Sequence, residues 1–238
     1  MKPIRIFRHL ACEGPGYLGS FLDRHGVPWE LVCIDDNMPV PASPEGASGL
    51  IFMGSTVSVN DPLDWIADEL RLIDQALNDG VPIMGVCFGS QLLSKALGGE
   101  VSRGPGMEIG WHPVYRSDHP DAAVWLDGLP AEFLAFHWHA DTFSVPDGAS
   151  RLLHSCCYGN QAFTLGDHLG MQFHLEMTER MVQGWIEHYG SDLERDSNCI
   201  QVRDALVADL ADNIRQLNRA ADHIYGRWLQ RVWDLKQD

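Results

Sequence analysis

The chain has 238 residues, 45% of them apolar, which is enough to bury a substantial core and makes one large globular unit the default. Its 17 Lys and Arg stand against 33 Asp and Glu, a formal net charge of −16, so its field repels phosphate backbones and anionic lipid, and neither nucleic acid nor membrane is expected as a partner. Lys2, Arg5 and Arg8 interrupt the apolar residues at the start of the chain, which excludes the uninterrupted core of a signal peptide, and no apolar run reaches the ~18 residues of a membrane-spanning helix. A cytoplasmic protein is expected. Its six cysteines, Cys12, Cys33, Cys87, Cys156, Cys157 and Cys199, lack Cys-x-x-Cys spacing and are expected to be free thiols.

In chain order, short apolar runs alternate with helical patterns through the first half, the signature of βαβ units around a mostly parallel sheet. Strands are predicted at Ile4–Arg8, Leu31–Ile34, Gly49–Met53 and Pro82–Val86, and a first crossover helix at Gly16–His25. A second helix is predicted at Asp64–Asn78, where Trp65, Ile66, Leu70, Ile73 and Leu77 recur near helical period, with Gly80 as its C-cap. From Gly110 onward the pattern changes to short β segments: Trp111–Tyr115, Phe133–Trp138, Arg151–Cys156, Ala162–Leu165 and Gly170–Leu175. Pro130, Pro146-Asp147-Gly148 and Gly159-Asn160 punctuate them. The last 60 or so residues read as helix, with Val202, Leu206, Leu210, Ile214, Leu217, Ala221, Ile224 and Trp228 at steps of three or four. That stripe either docks on the domain or forms a homo-oligomer surface. One domain over residues 1–190 with a helical extension over 191–238 is expected, and the tryptophans and tyrosines of that extension read as packing residues.

The segment from Val81 to Gly98 reads as a buried strand, a sharp turn and a helix, with Gly85-x-Cys87-x-Gly89 at the turn. This is the pattern of a nucleophile elbow: flanking glycines permit close backbone approach, and the middle residue is held strained and exposed above the sheet edge. A cysteine there sits at a helix N-terminus, where unpaired amides favour thiolate, and the N–H of Phe88 is placed to donate to an oxyanion. A thiolate attacking a carbonyl also needs a base and a group to orient it. His174-x-Glu176 supplies both, because residues two apart on a strand share a face. The loop Gly54-Ser55-Thr56, after an apolar strand, suits a second oxyanion amide. The pair His137-x-His139 is a possible metal half-site, although structural or substrate-shaping histidines are the simpler reading because no further ligand cluster is evident. Asp35, Asp36 and Asp61 read as solvated loop acids. No cofactor or metal is expected.

With Gly85, Cys87, Gly89 and Gln91 followed by His174-x-Glu176, the chain resembles the class I glutamine amidotransferases, especially a stand-alone branch similar to GMP synthase, over roughly residues 4 to 190. The resemblance implies an open, flavodoxin-like sheet and hydrolysis of the glutamine side-chain amide through a γ-glutamyl thioester on Cys87. It implies that His174 and Glu176 complete the triad, that Gln91 holds the substrate, that Gly54 and Phe88 give the oxyanion amides, and that Trp138 and His139 contact the substrate's α-carbon groups. Asp141 matches the acid of the family's His-Gly-Asp segment, with Ala140 in place of glycine. Two departures stand out: Leu175 occupies a position where the family usually has proline, and Met53-Gly54-Ser55 replaces a Gly-Gly-Pro loop.

The family normally passes ammonia to a synthase domain. The sequence carries no Gly-x-x-x-x-Gly-Lys-Ser/Thr phosphate loop, so amide transfer would need a separate synthase subunit or acceptor enzyme. A γ-glutamyl peptidase or hydrolase with the same triad is the alternative, its substrate a γ-glutamyl compound rather than glutamine. A catalytically silent binding protein is disfavoured by the complete triad.

Overall fold

A computed structural model describes residues 2–234. Strands β1 (Ile4–Arg8), β2 (Trp29–Cys33), β3 (Gly49–Phe52) and β4 (Ile83–Val86) lie parallel, joined through α1 (Gly16–Arg24) and α2 (Asp64–Asn78), and α3 (Phe88–Ala96) follows β4. The remaining strands are β5 (Val101–Arg116), β6 (Glu132–Phe143), β7 (Ser150–His154), β8 (Ala162–Leu165) and β9 (His168–Met171). All nine form one sheet in the order β2-β1-β3-β4-β9-β8-β7-β5-β6, parallel from β2 to β9 and antiparallel beyond it. The helices α4 (Pro120–Trp125), α5 (Glu179–His188), α6 (Arg203–Val207) and α7 (Leu210–Asp234) complete the fold. The open, mostly parallel sheet matches the expected class. Among the described residues no helix is long and apolar enough to cross a membrane.

Three sequence expectations change in detail. Trp111–Tyr115 and Phe133–Trp138 are the middles of two long strands, because β5 runs through its glycines and proline by shifting register between Arg103 and Glu108. The strand expected at Gly170–Leu175 ends at Met171, and His174 keeps only an isolated bridge to Phe136. Gly80 lies one residue past the C-cap Asp79 of α2, in the left-handed conformation.

The C-terminal region is broken rather than continuous. Asp209 (φ 51°) separates α6 from α7, and α7 then buries Leu210, Ile214, Leu217, Ala221, Ile224, Tyr225 and Trp228 in the main core. A side chain at Gly49 of β3 would come within 2.9 Å of the Trp228 ring, so the helix lies directly on the sheet. Of the predicted stripe only Val202, the residue that precedes α6, stays exposed, at 68%.

Two smaller corrections concern polar residues. Arg8 forks onto Asp35 (3.0 and 2.9 Å) and also reaches Asp36 (3.0 Å), so Asp35 is a half-buried ion-pair partner rather than a solvated acid. Cys157 and Cys199 form a disulfide instead of two free thiols. The chain around Ile200 pairs alongside β5, with Ile109 N–H donating to Cys199 O at 2.8 Å, and this brings together cysteines 42 residues apart.

Candidate active site

The chain that follows the carboxyl ends of β1, β3 and β4 lines one cleft of about 340 Å³ together with β6 and the region of α5, at the place where open α/β sheets form sites. Cys87 lies between β4 and α3 with φ 50° and ψ −108°, a backbone conformation that L-residues rarely adopt. The turn needs both flanking glycines. A Cβ on Gly85 would strike the backbone of Gly89, and one on Gly89 would strike the Phe52 carbonyl of β3. Cys87 lines the cleft yet is only 5% exposed, so the expectation of an exposed elbow is corrected. The surrounding chain closes over it, with the side-chain amide of Gln172 donating to its sulfur at 3.5 Å.

His174 and Glu176 lie beyond the end of β9, in a bending segment held by the 2.8 Å bond from His174 N–H to Phe136 O. Their side chains still meet, with Nδ1 of His174 2.6 Å from Oε1 of Glu176, both 1% exposed. Burial opposes a charge on His174, but the Glu176 carboxylate and the adjacent Cys87 sulfur outweigh it and raise its pKa well above the ordinary value. Nε2 of His174, the nitrogen turned from Glu176, has no hydrogen-bond partner among the described residues. The Trp185 ring stands edge-on to the imidazole at 4.8 Å and holds its plane.

The other predicted residues are distributed as follows. Gln91 on α3 lines the cleft and donates to Gln172 Oε1 (3.2 Å) and Asp141 O (3.3 Å). Trp138 and His139, on β6, both line it, and Trp138 Nε1 donates to Asp192 at 3.2 Å. Phe88 opens α3, with its amide at the helix N-terminus and its ring buried. Gly54 follows β3. A side chain there would collide with the Glu13 carboxyl and crowd His174 Cε1 at 3.3 Å, so any larger residue would have to displace Glu13.

The pair His137 and His139 has a third neighbour that sequence spacing did not suggest. Glu108, on β5, is fully buried with its carboxylate 2.9 Å from His139 Nε2 and 3.3 Å from His137 Nδ1. The expectation of no further ligand group is thereby corrected, since the three ligand atoms lie within 4.8 Å of one another. Glu108 is also bonded by Ser155 Oγ at 2.7 Å and by the Gln161 amide, so protein donors surround it. Burial raises the Glu108 pKa, but the two histidines prevail and hold it far below the carboxylate range.

Sequence reasoning also missed Glu13, Gln172, Asp192 and Arg195. Glu13 lines the cleft and accepts from Tyr189 at 3.0 Å. Its burial pushes its pKa up, against the pull of His174 and the Tyr189 hydroxyl. Gln172 had a visible signal, its position two residues before His174. Asp192 and Arg195, paired at 3.1 Å, come from the 3-10 turn after α5, so the predicted C-terminal extension contributes to the cleft wall.

The family model for glutamine amidotransferase class-I matches residues 21–184. The chain belongs to that family. A glutamine amidotransferase-like protein, YfeJ, of Salmonella typhimurium is 35% identical over 196 residues, 78% of this chain and 80% of that one. One subunit of the glutamine-hydrolysing GMP synthase of Methanococcus maripaludis is 37% identical over 43% of this chain and 54% of its own. The GMP synthase of Thermomicrobium roseum is matched over only 23% of its length. The crystal structure of a glutamine amidotransferase of Methylobacillus flagellatus superposes with a TM-score of 0.93 at 39% identity, covering 97% of this chain and 95% of that one. One from Thermotoga maritima gives 0.83 at 28% identity, covering 95% and 97%.

Proposed function

We propose that this family member hydrolyses the side-chain amide of glutamine with Cys87 as nucleophile, His174 as acid–base and Glu176 as the group that orients and charges the imidazole. The observation that carries this reading is the 2.6 Å His174–Glu176 contact beside a strained elbow cysteine. His174 takes the thiol proton, and the sulfur attacks the amide carbon. The oxyanion so formed is met by the amide N–H groups of Phe88 and Gly54. The carbon–nitrogen bond then breaks, and His174 returns the proton to the leaving ammonia. Water, deprotonated by His174, attacks the γ-glutamyl thioester and frees glutamate and the thiol. Gln91, Trp138 and His139 bound the pocket for the amino-acid end of the substrate.

Ammonia released in this way would pass to a synthase on a separate chain, as the likeness to one subunit of a GMP synthase supports. A second reading takes γ-glutamyl compounds with a larger leaving amine. The cleft favours it, because its lining extends to two ion pairs, Arg103–Asp141 and Arg195–Asp192, which offer charges to a substrate larger than glutamine. Ammonia release from glutamine, assayed beside cleavage of γ-glutamyl peptides, tests both. Efficient peptide cleavage with negligible glutamine hydrolysis would replace the first reading by the second, and inactivity on both would refute the two together.

A further inference from the structure

His9, just past β1, and Glu69, inside α2, form a buried pair that the reaction as described does not use. Their side chains are 1% and 0% exposed. Nε2 of His9 lies 3.0 and 3.1 Å from the two oxygens of Glu69, and Nδ1 lies 3.1 Å from the carbonyl oxygen of Gly54. Both ring nitrogens therefore face acceptors. A neutral imidazole donates through only one nitrogen, so the arrangement is satisfied by an imidazolium held against the carboxylate. A carboxylate on the buried face of a helix, among Ile66, Leu72 and Ile73, carries a large desolvation cost and persists where it is paired and bonded.

The atom that this charged pair holds is the carbonyl of the loop expected to stabilise the oxyanion. Gly54 carries both that carbonyl and the expected oxyanion N–H, on either side of one Cα that has no Cβ to restrict its backbone rotation. With the carbonyl bound to His9 in the interior, the Gly54 backbone is held in one conformation at the edge of the cleft, next to Ser55, which lines it with Cys87. The same His9 ring packs edge-on against Phe88 at 5.0 Å and stacks on Trp65 at 5.2 Å, and Phe88 carries the other expected oxyanion amide. One imidazole thus touches both halves of the oxyanion site.

We propose that His9 and Glu69 are positioning residues that clamp Gly54 through its carbonyl, holding that residue's own N–H at the expected oxyanion position so that the oxyanion site is formed in the chain alone. Glu69 acts through His9, and His9 acts through the Gly54 carbonyl. Neither touches the reacting atoms. The kinetic part of this inference rests on the amide-hydrolase reading, and the structural part does not.

The test compares the full chain with Glu69→Gln and with the double variant His9→Phe/Glu69→Leu, which removes both partners and strands no buried charge. Turnover of L-glutamine and of L-γ-glutamyl-p-nitroanilide is measured beside alkylation of Cys87 by iodoacetamide, a displacement that needs the thiolate but no oxyanion donor. In the double variant kcat is expected to fall by about 100-fold, the scale of one lost oxyanion donor, with KM and the alkylation rate within about twofold. Glu69→Gln can donate its amide to a neutral His9 and leave Nδ1–H on Gly54, so its kcat is expected to stay within about fivefold of wild type. Should the double variant not fold, His9→Gln, whose one amide nitrogen cannot serve both Glu69 and Gly54, carries the same expectation of slowed turnover.

Amide hydrogen exchange over residues 53–57 supplies a readout independent of turnover and is expected to quicken in the clamp-free variant. Unchanged kcat or unchanged exchange there overturns the proposal. So does a fall in alkylation that parallels the fall in kcat, since it would make the pair a general support of the fold. A wild-type chain inert towards both substrates faults the hydrolase reading alone, and the exchange rates then decide the clamp.

Discussion

Nδ1 of His174 lies 2.6 Å from Oε1 of Glu176 although neither residue belongs to a regular strand. The segment that carries them bends on either side of a single bridge at Phe136, and the two side chains still meet where the sheet has ended. Replacing Glu176 by Gln removes the carboxylate charge that raises the His174 pKa and leaves a neutral amide, whose NH2 can turn to the imidazole in place of its oxygen, as the orienting group. Turnover is expected to fall by about 10²- to 10⁴-fold with little change in thermal stability. Steady-state kinetics alongside a melting curve checks this, and activity within a few-fold of wild type would remove Glu176 from the reaction.

Cys87→Ala is expected to abolish turnover, by about 10⁴-fold or more, while the fold persists. The side chain is buried at 5% exposure but small, and its strained backbone, rather than its packing, is what the sequence around it serves. Circular dichroism and kinetics on one preparation decide the matter. Substantial residual hydrolysis would move the nucleophile elsewhere.

Gly89→Ala tests the elbow sterically. Its Cβ would meet the Phe52 carbonyl of β3, a backbone atom that cannot rotate away. A loss of about 1–3 kcal/mol or more in unfolding free energy is expected from such overpacking, together with loss of activity. A variant as stable and as active as wild type would show that the strand-to-helix junction relaxes freely.

Glu108 gives a pH-dependent prediction. Its folded pKa lies below the ordinary 4.5 because His137 and His139 outweigh its burial, so its contribution to stability is present above about pH 4.5 and is lost as pH falls towards the folded value. The melting-temperature deficit of Glu108→Gln should accordingly narrow on acidification below pH 4.5. A deficit independent of pH would mean that only packing and neutral hydrogen bonds are lost.

Much of this site was legible in the sequence, for reasons visible in particular residues. Gly85 and Gly89 mark the elbow because only glycine fits there, and β1, β3, β4 and α2 follow apolar runs whose period matches their burial. What escaped the sequence is what tertiary packing alone creates. Glu69 and Glu108 look like surface acids in the chain, yet each is fully buried against histidines distant in sequence. The lengths of β5 and β6 were hidden because Gly104, Pro105 and Gly106 suggest a break where the ladder only shifts register. Cys157 and Cys199 gave no spacing signal, since a long-range pairing beside β5 joins them.

Whether Cys87 is the residue acylated by the γ-glutamyl group is decided by treating the chain with a glutamine analogue bearing an electrophile at the γ position and mapping the adduct by mass spectrometry. Stoichiometric modification of Cys87 is expected, blocked by excess glutamine and accompanied by complete loss of turnover. Modification chiefly at the free thiols of Cys12, Cys33 or Cys156, with Cys87 unlabelled, would contradict it.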